Sequence, residues 1–149
     1  LVALWSAWQE LLPRSKKRAP SAAKKKAPKV GLRFILTGGY ELMVGRNAQE
    51  NHEITFHLAR GRDLWLHVDG VSGAHGIVRL AEGQSLPLPS LLEAAQKVAE
   101  RSLPRGWSTA EVSYTFRKQV RPAPGGVAGR VLVREAKSLR IKNTKSQSE

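Results

Sequence analysis

The chain has 149 residues and a net charge of +13, from 25 Lys+Arg against 12 Asp+Glu, and it has no cysteine. That length suits one domain with a real core. The missing Cys excludes a disulfide framework, a thiolate nucleophile and any Cys-ligated zinc or iron–sulfur site.

Residues 1–12, LVALWSAWQELL, place Leu1, Leu4, Trp5, Trp8, Leu11 and Leu12 on one helical face before Pro13. They read as the last turns of a helix packed on a helix partner, and not as a signal peptide, because no basic region precedes them. The chain begins without Met and is expected to be part of a longer protein. Residues 13–31, rich in Pro, Ala, Lys and Ser, read as a flexible basic linker. RFIL and ELMVGR then predict two strands around Gly38-Gly39. Residues 47–59 predict a helix with Asn47 as N-cap and Glu50 three residues on, although β-branched Ile54 and Thr55 disfavour it.

Residues 63–68, DLWLHV, alternate as a strand, with Leu64, Leu66 and Val68 facing one way and Trp65 and His67 the other. Residues 74–80 predict another strand. Ser90 and Glu93 form a capping box for a strong helix that ends before Pro104. VSYTF follows as a strand with Val112, Tyr114 and Phe116 inward. RVLVR and SLRIK, joined by residues 135–137, predict a hairpin with Leu139 and Ile141 inward and Arg140 and Lys142 outward. Residues 143–149 read as a disordered tail. The order predicts an α+β domain with a largely antiparallel β-sheet and two main helices, preceded by the helical stub and basic linker. No run of about 18 apolar residues exists to cross a membrane.

Nine cations and one acid lie in residues 1–33, and nine cations and two acids in residues 117–149, around a slightly acidic centre. Such flanks select polyanions. Composition leaves DNA and RNA open, with an acidic membrane surface as the lesser alternative. Catalytic constellations are poor. His52-Glu53 with His57 imitates a metalloprotease motif, but i and i+5 lie about 140° apart on a helix. Ser72, His75 and Asp69 are near in sequence without a nucleophile elbow. His67 and His75 on adjacent strands offer too few ligands to favour a metal site over polar residues on a sheet face. We expect no enzyme activity, no metal and no cofactor. What remains is a face of ring and cation: Trp65 and His67, with Arg60 and Arg62 just before them, suited to stacking on unpaired bases. The plainer alternative covers Trp65 with a helix.

The motifs occur in a specific order: G-R-N-x-x-x-N at 45–51, D-L-W-L-H-V at 63–68, G-A-H at 73–75, E-A-A-x-x-x-A-x-x-S at 93–102, V-S-Y-T at 112–115, K-x-V-R-x-x-P-G at 118–125 and K-S-L-R-I at 137–141. Over residues 32–142 this resembles the NFACT-R domain of the RqcH / NEMF / fibronectin-binding-protein-A-like family. The resemblance implies a non-catalytic RNA-binding module of a cytoplasmic ribosome-associated quality control factor. Its partners would be tRNA, large-subunit rRNA and the obstructed large ribosomal subunit. Residues 1–12 would then end a coiled coil. Tail synthesis, linked to an amino-terminal domain absent from this chain, is not implied. An adhesion or protein-interaction role is the alternative, from the fibronectin-binding name of some members.

Arg46, Asn47, Asn51, Trp65, His67 and His75 match the family motifs and are carried as the functional surface, with Gly45 and Gly73 as backbone requirements. Asn47 reads equally as a helix cap. Arg60, Arg62, Lys118, Arg121, Arg140 and Lys142 complete the expected RNA contacts. Two departures stand out: Ala74 replaces the family's usual Ser, and the loop PAPGGVAG at 122–129 lacks its usual Lys.

Overall fold

A computed structural model describes residues 30–143. The predicted helix at 1–12, almost all of the linker and the tail beyond Asn143 lie outside the described residues. Six strands form one antiparallel sheet in the order β1-β2-β4-β3-β5-β8. They are β1 (Leu32–Ile35), β2 (Glu41–Val44), β3 (Leu64–Val68), β4 (Gly76–Val78), β5 (Thr109–Phe116) and β8 (Lys137–Lys142). The strands β6 (Val120–Pro122) and β7 (Val131–Val133) pair separately as a small ribbon. With the helices α1 (Ala48–Glu53) and α2 (Leu88–Ser102), the fold is α+β.

The alternation of each strand divides its apolar residues between two cores. Leu42, Val44, Val78, Leu64, Leu66, Val68 and Val112 pack under α2, which contributes Leu91, Ala94, Ala95, Val98 and Ala99. Gly76 permits this approach, because a Cβ there would stand 2.5 Å from a Val98 methyl. On the opposite face Met43, Trp65 and Ile77 pack with Ile54 and Val120. The central strands are therefore covered on both faces, and Trp65 is only 2% exposed. The helix-covered alternative for this residue is the one observed.

Several expectations are corrected. The helix predicted over 47–59 stops being α-helical at Glu53 and continues as a π-helical turn, Ile54–Leu58, closed by Ala59 N–H donating to Ile54 O at 2.9 Å. This wider turn buries both Ile54 and Thr55. The strand predicted over 74–80 is only three residues long. Side chains take the amides at its expected ends: Ala74 N–H donates to Ser102 Oγ, His75 N–H to Asn51 Oδ1 and Leu80 N–H to Asp63 Oδ1.

The Ser90/Glu93 capping box does not cap its own helix, which starts earlier behind Pro87. Ser90 Oγ donates to Thr37 O at 2.6 Å and Glu93 Oε1 accepts from Thr37 N–H at 2.7 Å, so the pair clamps the β1–β2 turn onto α2. The predicted hairpin between the last two strands is also absent. β7 pairs with β6 and β8 with β5, and Glu135, at φ 54°, turns the chain from ribbon to sheet. Phe116, expected inward, is 42% exposed where β5 runs past the cover of α2. At the domain edges, Val30 packs on the second core and Asn143 Nδ2 donates to Trp107 O at 2.7 Å, so both belong to the folded part.

Truncating Trp65 to Ala is expected to cost about 3–5 kcal/mol. Trp65→Phe keeps a ring and removes an indole N–H that has no hydrogen-bond partner, so it should cost far less. Urea denaturation midpoints of the two variants check this order.

Candidate nucleic-acid interface

A cleft of about 420 Å³ opens where the start of α1, the β3–β4 loop, the end of α2 and the β6–β7 loop meet. Arg46, Asn47, Asn51 and His67 line it, as do Arg101 and Arg130. Three arginines thus converge from elements far apart in sequence.

Asn47 caps α1, its Oδ1 accepting from Glu50 N–H at 2.9 Å. Glu50 reaches back to Arg46, accepting from its backbone N–H at 2.9 Å and pairing with its guanidinium at 2.6 Å. These bonds fix Arg46 at the rim of the cleft. The Arg46 side-chain hydrogen bond is the main force that holds the Glu50 carboxyl down to about 2, helped by the Arg46 and Gly31 amides against the opposing effect of burial. Glu50 in turn raises the Arg46 guanidinium above its ordinary value.

Asn51 is buried and works as a brace. Its Nδ2 donates to Gly73 O at 3.2 Å and its Oδ1 accepts from His75 N–H at 3.0 Å. Gly45 lies against it, and a Cβ there would fall 2.1 Å from Asn51 Oδ1 and 2.8 Å from its amide nitrogen. Gly73 is equally constrained, because its Cβ would meet Ser102 at 2.5 Å. The Ser102 hydroxyl donates to Val98 O and accepts from Ala74 N–H, placing a hydroxyl beside the position where the family's Ser is replaced by Ala74. Both glycines are backbone requirements, as the motif implied.

Three rings lie under the cleft. His67 stacks on Trp65 at 5.7 Å with 7° between planes, and His75 meets both edge-on at 5.4 Å. His75 is 1% exposed, with Nδ1 2.9 Å from Thr55 Oγ1. Burial pushes its pKa down to about 3, aided by His67 and His52 and opposed by a backbone hydrogen bond with Gly129. That bond ties the β6–β7 loop to the core. His67 is half-buried, and burial lowers its pKa too, against the pull of Asp69.

The other expected contacts lie elsewhere. Trp65 and His75 are buried and support the cleft from below. Arg60 and Arg62 occupy the turn before β3, where Arg62 Nε donates to Leu80 O at 3.0 Å. Lys118 sits over the Phe116 ring, Arg121 is exposed on the ribbon, and Arg140 and Lys142 are exposed on β8. Arg140 pairs with Glu111 at 3.1 Å. Sequence reasoning missed Arg101 and Arg130 as site residues. The signal for Arg101 was its place beside Ser102, the small residue that packs on Gly73. The hydrolase grouping is not assembled: His75 engages Thr55, and Asp69 accepts from the Ser113 hydroxyl. Among the described residues no group of three or more His, Cys, Asp or Glu could hold a metal ion.

Comparison with known proteins places the cleft in context. Residues 31–134 match the family model described as the NFACT protein RNA binding domain. The chain is similar to the Rqc2 homolog RqcH of Bacillus subtilis, 30% identical over 93 residues that make up 62% of this chain and 16% of that protein. The Rqc2 homolog RqcH of Streptococcus suis is 28% identical over 77% of this chain and 21% of its own length. The chain thus spans about a fifth of these curated relatives. The C-terminal structure of the fibronectin/fibrinogen-binding protein from Streptococcus suis superposes with a TM-score of 0.71 at 26% identity, covering 81% of this chain and 48% of that one.

Two predictions follow from this geometry. Gly45→Ala should unfold the site, because the clash is with Asn51 backbone as well as its side chain; circular dichroism melting reads the loss. Acid should also destabilise the domain. Unfolded His75 takes a proton near 6.5 whereas the folded ring resists it down to about 3. Its contribution is whole above that unfolded value and drains away as pH falls below it. The loss at pH about 5 is on the order of 2 kcal/mol, measurable by denaturant titration at neutral and mildly acid pH.

Proposed function

Because the chain belongs to the family of NFACT protein RNA-binding domains, we propose that it is the RNA-contacting module of a ribosome-associated quality control factor. The RNA is tRNA or large-subunit rRNA, and the target is the obstructed large ribosomal subunit. The module acts in the cytoplasm and without catalysis. The observation that carries this reading is the convergence of Arg46, Arg101 and Arg130 on one cleft. Guanidinium groups bind phosphate through paired N–H donors, and the rigid elements behind them hold the charges in place. Arg121 on the ribbon and Lys142 on β8 are further exposed cations outside the cleft. No helix among the described residues is long and apolar enough to cross a membrane.

The name of the streptococcal structure supports a second reading, adhesion to fibronectin or fibrinogen. A pool confined to the cell surface on fractionation would favour it.

Affinity for tRNA and for large subunits should fall steeply with salt, by a log–log slope of roughly 0.7–0.9 per phosphate contacted. Arg101→Ala and Arg130→Ala should each weaken binding and reduce that slope by about one. Filter binding across a salt series, and sedimentation with large subunits carrying or lacking peptidyl-tRNA, test this. A salt-independent affinity would sink the reading.

A further inference from the structure

The cleft has a volume of about 420 Å³, the scale of a small-molecule pocket, and is half open to solvent. Gly45, Gly73, Ala74, Ala128 and Gly129 line its walls, and their short side chains leave room for a flat ring. The His67 ring lines it with one face already used by Trp65 and its plane set by the edge of His75. Gly73 N–H lies 3.5 Å from His67 Nε2. Burial favours the neutral form of that ring, against the pull of Asp69. Arg101 and Arg130 at the rim form no ion pair among the described residues.

We propose that this cleft takes a single unpaired nucleotide of an RNA, a strand end or a base turned out of its helix. The base lies against the His67 ring, and the adjoining phosphate lies between Arg101 and Arg130. This deepens the RNA-binding reading and rests on it. Base–ring stacking then adds to phosphate contact, and unpaired positions are preferred over continuous duplex.

The test is fluorescence anisotropy with a short blunt RNA duplex, the same duplex with one bulged nucleotide, and the same duplex with a one-nucleotide overhang. The bulged and overhanging forms should bind roughly tenfold more tightly than the blunt one. His67→Ala should abolish that preference, read as the ratio of bulged to blunt affinity. Ser72→Leu, at an exposed position on the cleft, narrows the mouth without touching the ring stack and should do the same; thermal melting confirms that each variant is folded. Equal binding of all three RNAs by the wild type, or a preference that survives both substitutions, overturns the inference while RNA binding stands. Salt-insensitive binding, or none to any of the three, takes down the RNA-binding reading as well.

Discussion

One buried amide holds the site together. Asn51 faces the β3–β4 loop with both ends of its side chain engaged, one on Gly73 O and the other on His75 N–H. Each bond contributes a net stabilisation of about 1 kcal/mol, but a buried group left without its partner costs about 1–3 kcal/mol. Any shift of α1 against that loop would break both at once. Gly45 leaves no slack, because it sits against Asn51 with no room for a side chain and its own N–H donates to His75 O at 3.0 Å. The Arg46 rim, the cap at Asn47 and the His67 floor inherit their relative positions from this contact.

The two-sided sheet explains how a small domain builds such a cleft. With α2 on one face, the other face is free to receive the π-helical turn, the ribbon and Trp65 between them. Arg117 locks that side, its Nε donating to Thr55 O and its guanidinium lying 5.0 Å over the Phe56 ring. Cations from the carboxy-terminal flank thus divide in purpose. Arg117 is spent on structure, while Arg121 and Arg130 stay exposed. Net charge does not separate these uses; only the partners of each side chain do.

Much of the fold was legible in the sequence because strand alternation reports a buried face. β1, β3 and β8 appear where the pattern places them, give or take a residue, while β2 ends two residues earlier and β5 starts three residues earlier than read. What was not legible required knowledge of neighbours. Ser90 and Glu93 look the same whether they cap their own helix or clamp the turn at Thr37. The strand Val120–Pro122 is too short, and contains a proline too unfavourable for a strand, to announce itself, so β7 was assigned the wrong partner. The site shows the same limit. The G-R-N-x-x-x-N and D-L-W-L-H-V motifs located the cleft, but not which of their residues face it. Trp65 and His75 lie beneath, Arg101 could be placed only through its neighbour Ser102, and Arg130 comes from a segment that no local pattern links to it.

The edge strand β8 carries a consequence of another kind. Among the described residues it closes the sheet with one side unpaired, which is a template for a foreign strand. Lys137, Arg140 and Lys142 are exposed along it, and a second copy adding in register would bring like charges together. These cations therefore act as gatekeepers against self-association. This strand could not lose its charge without gaining a tendency to aggregate, so solubility alone would preserve a basic edge here.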